Sequence, residues 1–493
     1  MTSRVVFYNP PSSRSRKPVV PMSLLAVGAV LEGEIDYVIV DGNLEKDPVA
    51  ALDRALRETG ARVLAVTVMP GPQLSHAVPH CRELKKLHPG VTIVWGGYFP
   101  TQHWEPALRA DYVDYVIRGH AELAFRELLL RLARGEDPAG IPGVAHKAAD
   151  GTPTSAPLAP IPSPEELPDF PYHRIDLERY VRRTFMGRRT LPHHSSYGCP
   201  FLCNFCAVVN MVSGRWKAQS AERTAAVARH LVERARVDSV EFYDNNFFVQ
   251  EARTAEFAER IMDLRLGWWG EARIDTMLKY SDKSWGLMRD SGLRMVFLGA
   301  ESGSNETLRQ MNKGGTASTE KTLEIAARMK AYGIVPEFSF VLGNPPDPAA
   351  DVASTLDFVR KVKRVNPRSE IILYMYTPVP LSGELYEQAR ASGFRFPETL
   401  EGWVDPTWLD FSQRRSANTP WMSDPLRQRV RDFERVLNAY YPTSTDVRLT
   451  GLRRAVLKAA SAWRYRLKVY ARPVELDLLQ GWMAYQRPET AGF

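Results

Sequence analysis

Twice along its length the chain alternates short β-branched runs with amphipathic segments of helical period, and a proline-dense interval divides the two stretches. In the first, VVFYN (5–9), DYVIV (36–40), RVLAVTV (62–68), VTIVW (91–95) and DYVI (114–117) are separated by helical patterns near 21–33, 48–58, 73–88 and 121–133. A parallel crossover needs a dozen or more residues, and a helix supplies them, so this spacing predicts a parallel sheet covered on both faces. Such a sheet receives its ligand beyond the C-terminal strand ends. Between 191 and 380 the candidates are HHSSYG, SVEFYD (239–244), WWGEARI (268–274), RMVFLGA (294–300), VPEFSFVLG (335–343) and EIILYMYT (370–377). Six βα units predict a partial barrel, again with its chemistry at strand C-termini.

The expected division is a flavodoxin- or Rossmann-like α/β domain (1–135), a linker (136–190), a partial (β/α)6 barrel (191–380) and a mostly helical C-terminal extension (381–493). Seven prolines lie between Gly151 and Pro171, which favours an extended surface strap. Ahead of them, GVAHKAADGTP predicts a hairpin turning at Asp150-Gly151. The extension holds Trp403, Trp408, Trp421, Trp463 and Trp482 and a basic helical stretch. Apolar residues make up 44% of the 493, with no run near the ~18 that a membrane span needs. MTSRVVFYNPP does not read as a secretory signal, so the expected location is the cytoplasm.

Three of the four cysteines, Cys199, Cys203 and Cys206, fall within eight residues. Thiolates favour zinc or iron–sulfur centres. A closed structural zinc site wants four ligands, and the fourth cysteine, Cys81, lies in the other domain. A zinc knuckle completed by His193 or His194 is one reading. The other is a cubane held by three cysteines, which leaves one iron open for reactive chemistry.

The Cys-x3-Cys-x2-Cys spacing after a strand that opens a run of βα units resembles the radical S-adenosylmethionine superfamily. That resemblance implies a 4Fe-4S cluster on Cys199, Cys203 and Cys206. Its open iron would be chelated by S-adenosylmethionine, which an external one-electron reductant of flavodoxin or ferredoxin type cleaves to a 5′-deoxyadenosyl radical. It also implies that Phe205 packs by the adenine. The strand ends supply further candidates for the same ligand: in the run Tyr243-Asp244-Asn245-Asn246, the Asp244 carboxylate and the amides, Asn245 first, for its ammonium, Arg273 for its carboxylate, Glu301 and Ser302 near ribose or methionine, and Gly343 for close backbone approach to adenine.

In the first domain neither G-x-G-x-x-G nor a P-loop occurs. The strand-end loops instead carry Asp41 and Asn43; Thr67, Val68, Met69 and Gln73; Gly96, Gly97 and Tyr98; and Gly119 and Glu122. Small residues there admit a broad flat ligand. Over roughly 1–130 the pattern VTVMPGPQ…VWGGYFPT…VDYVIRGxxE resembles the cobalamin-binding domain of the same radical family, and those residues are the implied cobalamin contacts. There are two departures. No D-x-H-x-x-G supplies a lower axial histidine, and His120-Ala121 stand where Gly-Glu is more usual, so only Gly119 and Glu122 carry over. A structural flavodoxin-like domain with an empty pocket is the plain alternative.

The resemblance implies an enzyme with three cofactors (4Fe-4S cluster, S-adenosylmethionine and cobalamin) that methylates an unactivated carbon of a small molecule such as a lipid or secondary metabolite. A second reading is oxidation or ring formation, as in the branch with the anaerobic magnesium-protoporphyrin ester cyclase and hopanoid-modifying enzymes. A third is a non-catalytic cobalamin or redox sensor. The related tRNA methylthiotransferases carry an extra cysteine set and an RNA-binding domain that are not seen here, so nucleic acid is not expected. His76, His80 and Cys81 share one helix but lack a third ligand spacing; a packed cysteine and exposed histidines are expected. His103, His146, His173 and His230 stand alone.

Net charge is +7 with pI near 9.1. Residues 448–472 hold eight Lys/Arg and no acid, so the rest sums to −1. In that stretch Leu449, Leu452, Val456, Ala460, Trp463, Leu467 and Tyr470 fall at helical steps. The two readings are a helix docked on the barrel and an amphipathic helix in peripheral contact with an anionic membrane.

Overall fold

The computed structural model describes residues 4–12, 18–313, 316–381, 383–412 and 419–485. Seven strands form the first sheet: β1 (Arg4–Asn9), β2 (Asp36–Asp41), β3 (Val63–Thr67), β4 (Thr92–Gly96), β5 (Tyr115–Ile117), β6 (Val144–Lys147) and β7 (Pro153–Ser155). Their order is β2-β1-β3-β4-β5-β6-β7, with β1 to β5 parallel and the β6–β7 hairpin antiparallel at one edge.

Every strand run read from the sequence here is a strand, because both faces of each are paid for in apolar contact. Val5, Phe7, Ala65 and Val94 pack with Leu24, Phe125 and Leu128 on one side. Val6, Tyr8, Leu64, Val66, Ile93 and Trp95 pack with Leu52, Leu56, Leu74 and Leu84 on the other. Local signals end the helices: Asp47 caps Pro48–Thr59 by accepting the Ala50 N–H, and Gly60 closes it at φ 65°. The hairpin turns at Asp150-Gly151 as expected, with Asp150 Oδ1 accepting the Thr152 N–H. It carries the first sheet to Ser155, past the expected boundary at 135.

The second sheet has six parallel strands in order β15-β14-β13-β12-β11-β8. They are β8 (Thr190–His193), β11 (Ser239–Phe242), β12 (Gly267–Ala272), β13 (Leu293–Glu301), β14 (Val335–Leu342) and β15 (Glu370–Met375); between β8 and β11 come β9 (Ser196–Gly198) and β10 (Trp216–Ala218). This is the partial barrel, with one correction. The expected first strand HHSSYG is divided. The barrel strand ends at His193, the chain turns at His194-Ser195, and Ser196–Gly198 pairs antiparallel with β10. The cysteines therefore lie in the connection between the two strands of a ribbon rather than directly after a barrel strand.

The later part of the proline-rich strap is gathered by one arginine. Arg223 donates to the carbonyls of Pro164, Glu165 and Leu167 and to Asp169. In the extension, Phe394, Phe396, Trp403, Trp408 and Phe411 cluster, and Arg109 and Arg82 of the first domain reach Glu398 and Glu401 beside them. Helices Asp424–Tyr440, Gly451–Leu467 and Val474–Trp482 pack together, the first against the barrel helix Pro348–Val365. No helix among the described residues is long and apolar enough to cross a membrane.

Candidate functional site

The C-terminal ends of the two sheets face one cavity of about 1,230 Å³. This exceeds the ~300–1,000 Å³ of most small-ligand pockets. On the first-domain side it is lined by Asn9, Thr67, Met69, Gln73, Gly96, Gly97, Tyr98, Gly119 and Glu122. The strand order 2-1-3 puts the crossover reversal between β1 and β3, where open α/β sheets bind ligands.

The glycines differ in role. A Cβ on Gly97 would stand 3.1 Å from Thr67 Oγ1 and from the Val68 backbone, and its φ is +101°, so the fold itself requires this glycine. A Cβ on Gly96 would meet nothing within 4 Å. The cradle above β4 is open, and a side chain there would fill it, which fits a flat cobalamin ring. Gln73 fixes the β3 loop: its Oε1 accepts the Met69 N–H at 2.9 Å and its Nε2 donates to Asn9 Oδ1 at 2.8 Å. Met69 is exposed and lines the cavity.

Three expected cobalamin contacts are not in that lining. Asp41 is buried, accepting from Asn9, Asn43 and the Tyr180 hydroxyl. Asn43 accepts from Ser12. Val68 is fully buried, its backbone tied to Gly96 and Phe99. They brace the loops from behind. Glu122 is also buried, which would raise its pKa, but His120 and Tyr197 hold it below the usual carboxylate value.

The barrel side of the cavity is lined by Tyr243, Asn245 and Glu271; the cysteine loop lies outside that lining, with Cys203 buried and Cys199 and Cys206 half-buried. Arg273 Nη1 donates to Cys203 Sγ at 3.3 Å, and Asn246 Nδ2 lies 3.9 Å from Cys199 Sγ. Burial pushes the Cys203 thiol up, while Lys313 and Arg273 pull it back. Donors and cations around the sulfurs fit thiolates that ligate an iron–sulfur cluster. His193, weighed as a fourth zinc ligand, is fully buried with both ring nitrogens engaged by Tyr172 and Gln219. Among the described residues no three His, Cys, Asp or Glu side chains surround a single-ion site.

Several strand-end residues have other work than the expected ligand contacts. Asp244 is fully buried and accepts from the Ser195 N–H and hydroxyl and from the Ser196 hydroxyl, which fixes the turn into the cysteine ribbon. Arg273 spends its fork on Asp275 at 3.0 and 2.9 Å, donates to the Lys313 carbonyl and lies 3.8 Å over the Phe201 ring. Ser302 is buried and donates to Asp351. Asp351 also accepts from the Gly343 and Asn344 N–H groups and so ties the ends of β13 and β14 together. Gly343 leaves room for Met422, not for an open cleft, and its carbonyl accepts from Trp421.

Glu301 sits at a register shift between β13 and β14, at φ +62°, and pairs with Lys313 at 2.9 Å. A bulge that re-aims a side chain in this way belongs to site edges. Asn245 lines the cavity, and Phe205 packs by Met311, Val341 and Tyr376.

Sequence reasoning missed two residues, Glu271 and His103, and read a third, Asn246, only as one amide of a strand-end run. Asn246 Oδ1 is buried without a hydrogen-bond partner beside Cys199, an acceptor in want of a donor. Glu271 lines the cavity beside the end of β11 at Tyr243, and burial pushes its carboxyl up to about 8. His103, set among Phe99, Phe396 and Trp403, is pushed down to about 3 by burial and lines the same cavity as a neutral ring. Cys81 is packed as expected, its thiol raised to about 12 by burial, but His80 is half-buried and bonded to the Tyr8 hydroxyl.

Comparison with known proteins gives two profile matches. A B12-binding domain profile matches residues 13–129, and a radical SAM superfamily profile matches 194–359. An uncharacterized methyltransferase of Pyrococcus horikoshii is 25% identical over 73% of this chain and 78% of its own length. The anaerobic magnesium-protoporphyrin IX monomethyl ester cyclase of Synechocystis is 25% identical over 64% of this chain and 65% of its own. The fold is similar to that of the radical S-adenosylmethionine methyltransferase TsrM of Kitasatospora setae, solved with tryptophan substrate and an analogue of S-adenosylmethionine, with a TM-score of 0.65 at 18% identity, covering 80% of this chain and 77% of that one.

Proposed function

Because the chain is a two-domain member of the B12-binding radical S-adenosylmethionine enzymes, we propose that it transfers a methyl group to an unactivated carbon of a small molecule. The observation that carries this reading is the single cavity shared by the open cradle at Gly96 and by the barrel residues Tyr243, Asn245 and Glu271. When bound, the cluster and S-adenosylmethionine supply a 5′-deoxyadenosyl radical and cobalamin supplies the methyl group.

This chain's residues bind, orient and enclose. Cys199, Cys203 and Cys206 ligate the cluster, with Arg273 and Lys313 offsetting thiolate charge. Asn246 Oδ1 and Asn245 accept from the ammonium of S-adenosylmethionine, and Phe205 offers an apolar face to its adenine. Thr67, Gly96, Gly97 and Gly119 leave the floor on which cobalamin lies, and Met69 faces it. The substrate lies between these two sets, with an apolar body against Phe396, Trp403 and Phe411 and a hydrogen-bonding group at Glu271. An external donor of flavodoxin or ferredoxin type provides the electron.

The cyclase relative supports a second reading, in which the same radical leads to oxidation or ring closure. Product analysis of reconstituted, reduced enzyme with cobalamin separates them. S-adenosylhomocysteine formed alongside 5′-deoxyadenosine is expected for methyl transfer, whereas 5′-deoxyadenosine alone would favour the second reading.

A further inference from the structure

We propose that helices Gly451–Leu467 and Val474–Trp482 dock the protein on an anionic lipid bilayer, independently of the chemistry proposed above. Of the fourteen large apolar side chains exposed among the described residues, nine lie between Val447 and Trp482. The first helix is already docked on the fold, but by a different face from the apolar one. Leu457, Ser461, Arg464 and Tyr465 are buried, with Tyr465 stacked on Tyr440 at 4.4 Å and Arg464 paired to Glu475. That leaves Leu452 (76% exposed), Val456, Trp463 (49%) and Leu467 (69%) as a free stripe. The next helix repeats the arrangement at four-residue steps with Val474, Leu478 (71%) and Trp482 (78%). The helix therefore packs and still leaves an apolar stripe exposed, with one face of the Trp463 ring against the Arg464 guanidinium at 4.7 Å.

Charge selects the occupant. On a wheel of about 3.6 residues per turn, Arg453 and Arg466 border the stripe on opposite sides. Both are exposed and make no salt bridge among the described residues. Exposed tryptophans and leucines between arginines suit the boundary of an anionic membrane, where rings and aliphatic chains enter the acyl edge and guanidinium groups reach phosphates. A nucleic-acid surface would have no use for the stripe, and the rest of the chain, near neutrality, adds no broad basic field.

The test is co-flotation of the full-length protein with vesicles of phosphatidylcholine alone and of phosphatidylcholine with phosphatidylglycerol. Flotation is expected with the anionic vesicles, falling as salt is raised. R453Q/R466Q should weaken it on the order of thirtyfold, at ~1 kcal/mol per cation. W463S/L467S/W482S should lower binding at least about tenfold with thermal unfolding unchanged, because these side chains are exposed. Absence of flotation, or flotation equal in wild type and both variants, overturns the proposal. So does a wild-type dimer in sedimentation velocity that W463S/L467S/W482S converts to monomer, since a second copy of the chain would then cover the stripe.

Discussion

Arg273 Nη1 lies 3.3 Å from the sulfur of Cys203, while the same guanidinium holds Asp275 by two parallel bonds. The cysteine loop is thus fastened to the end of β12 through one planar fork. A lysine cannot serve the thiol, the carboxylate and the Lys313 carbonyl together. R273K is expected to reconstitute with reduced iron and sulfide per chain. R273A, which leaves Asp275 buried and unpaired, is expected to lose about 3–5 kcal/mol as well as most of its cluster. Iron content after reconstitution and thermal unfolding check both; unchanged values in R273A would refute the role.

Asn246 presents the opposite case, a buried acceptor with nothing to accept from. Removing it relieves an unpaired acceptor, which offsets the lost packing and the long Nδ2 contact to Cys199. N246A is expected to melt at the wild-type temperature or slightly above it and to bind S-adenosylmethionine roughly tenfold more weakly. The readout is the change that added S-adenosylmethionine makes in the electron paramagnetic resonance signal of the reduced cluster. A normal titration curve would remove Asn246 from the site.

These two residues also show what the sequence discloses. Strands were legible wherever β-branched runs are buried on both faces, as at Val5–Tyr8 and Val63–Val66, and the cysteine spacing announced a cluster directly. A polar residue at a strand end is legible as a group near the mouth, but its partner is not. Asp244 is claimed by Ser195 and Ser196, Ser302 by Asp351, and Asp41 by Tyr180, all distant in sequence. Gly343 is a glycine because of Met422, from a segment with no regular pattern. Glu271 escaped notice because alternation along β12 allows either face to be internal, and only closure of the sheet turns it into the cavity.

Gly96 and Gly97 are neighbours with opposite expected behaviour. G97A meets Thr67 and Val68 at 3.1 Å from a backbone at φ +101°, and a destabilisation of about 1–3 kcal/mol is expected. G96V is expected to fold normally and to retain much less cobalamin, because its side chain projects into open space. Visible absorbance of bound cobalamin after desalting, set against thermal unfolding, separates them. Equal cobalamin retention in G96V and wild type would move the cofactor off this floor.

Glu271 gives the site a pH signature. Burial, and then the nearby Asp244 charge, push its carboxyl up to about 8 from an unfolded value near 4.5. The folded chain therefore binds this proton more tightly than the unfolded one. Its contribution to stability is fully present below the unfolded value and declines as the pH rises toward the folded value, levelling off above about 8. The carboxyl borders a cavity that admits water, so a decline of about 1–2 kcal/mol is expected. Glu337, also raised to about 8 by burial, declines in parallel, so the quantity to read is the difference between wild type and E271Q. The amide of E271Q does not titrate, and the variant should gain stability relative to wild type between about pH 5 and 8. At neutral pH the protonated carboxyl donates as an amide does, so E271Q should keep most of the activity, while E271A should raise KM. The wild-type kcat/KM should fall above about pH 8 and that of E271Q should not. Parallel pH profiles in the two proteins would show that Glu271 does not face the substrate.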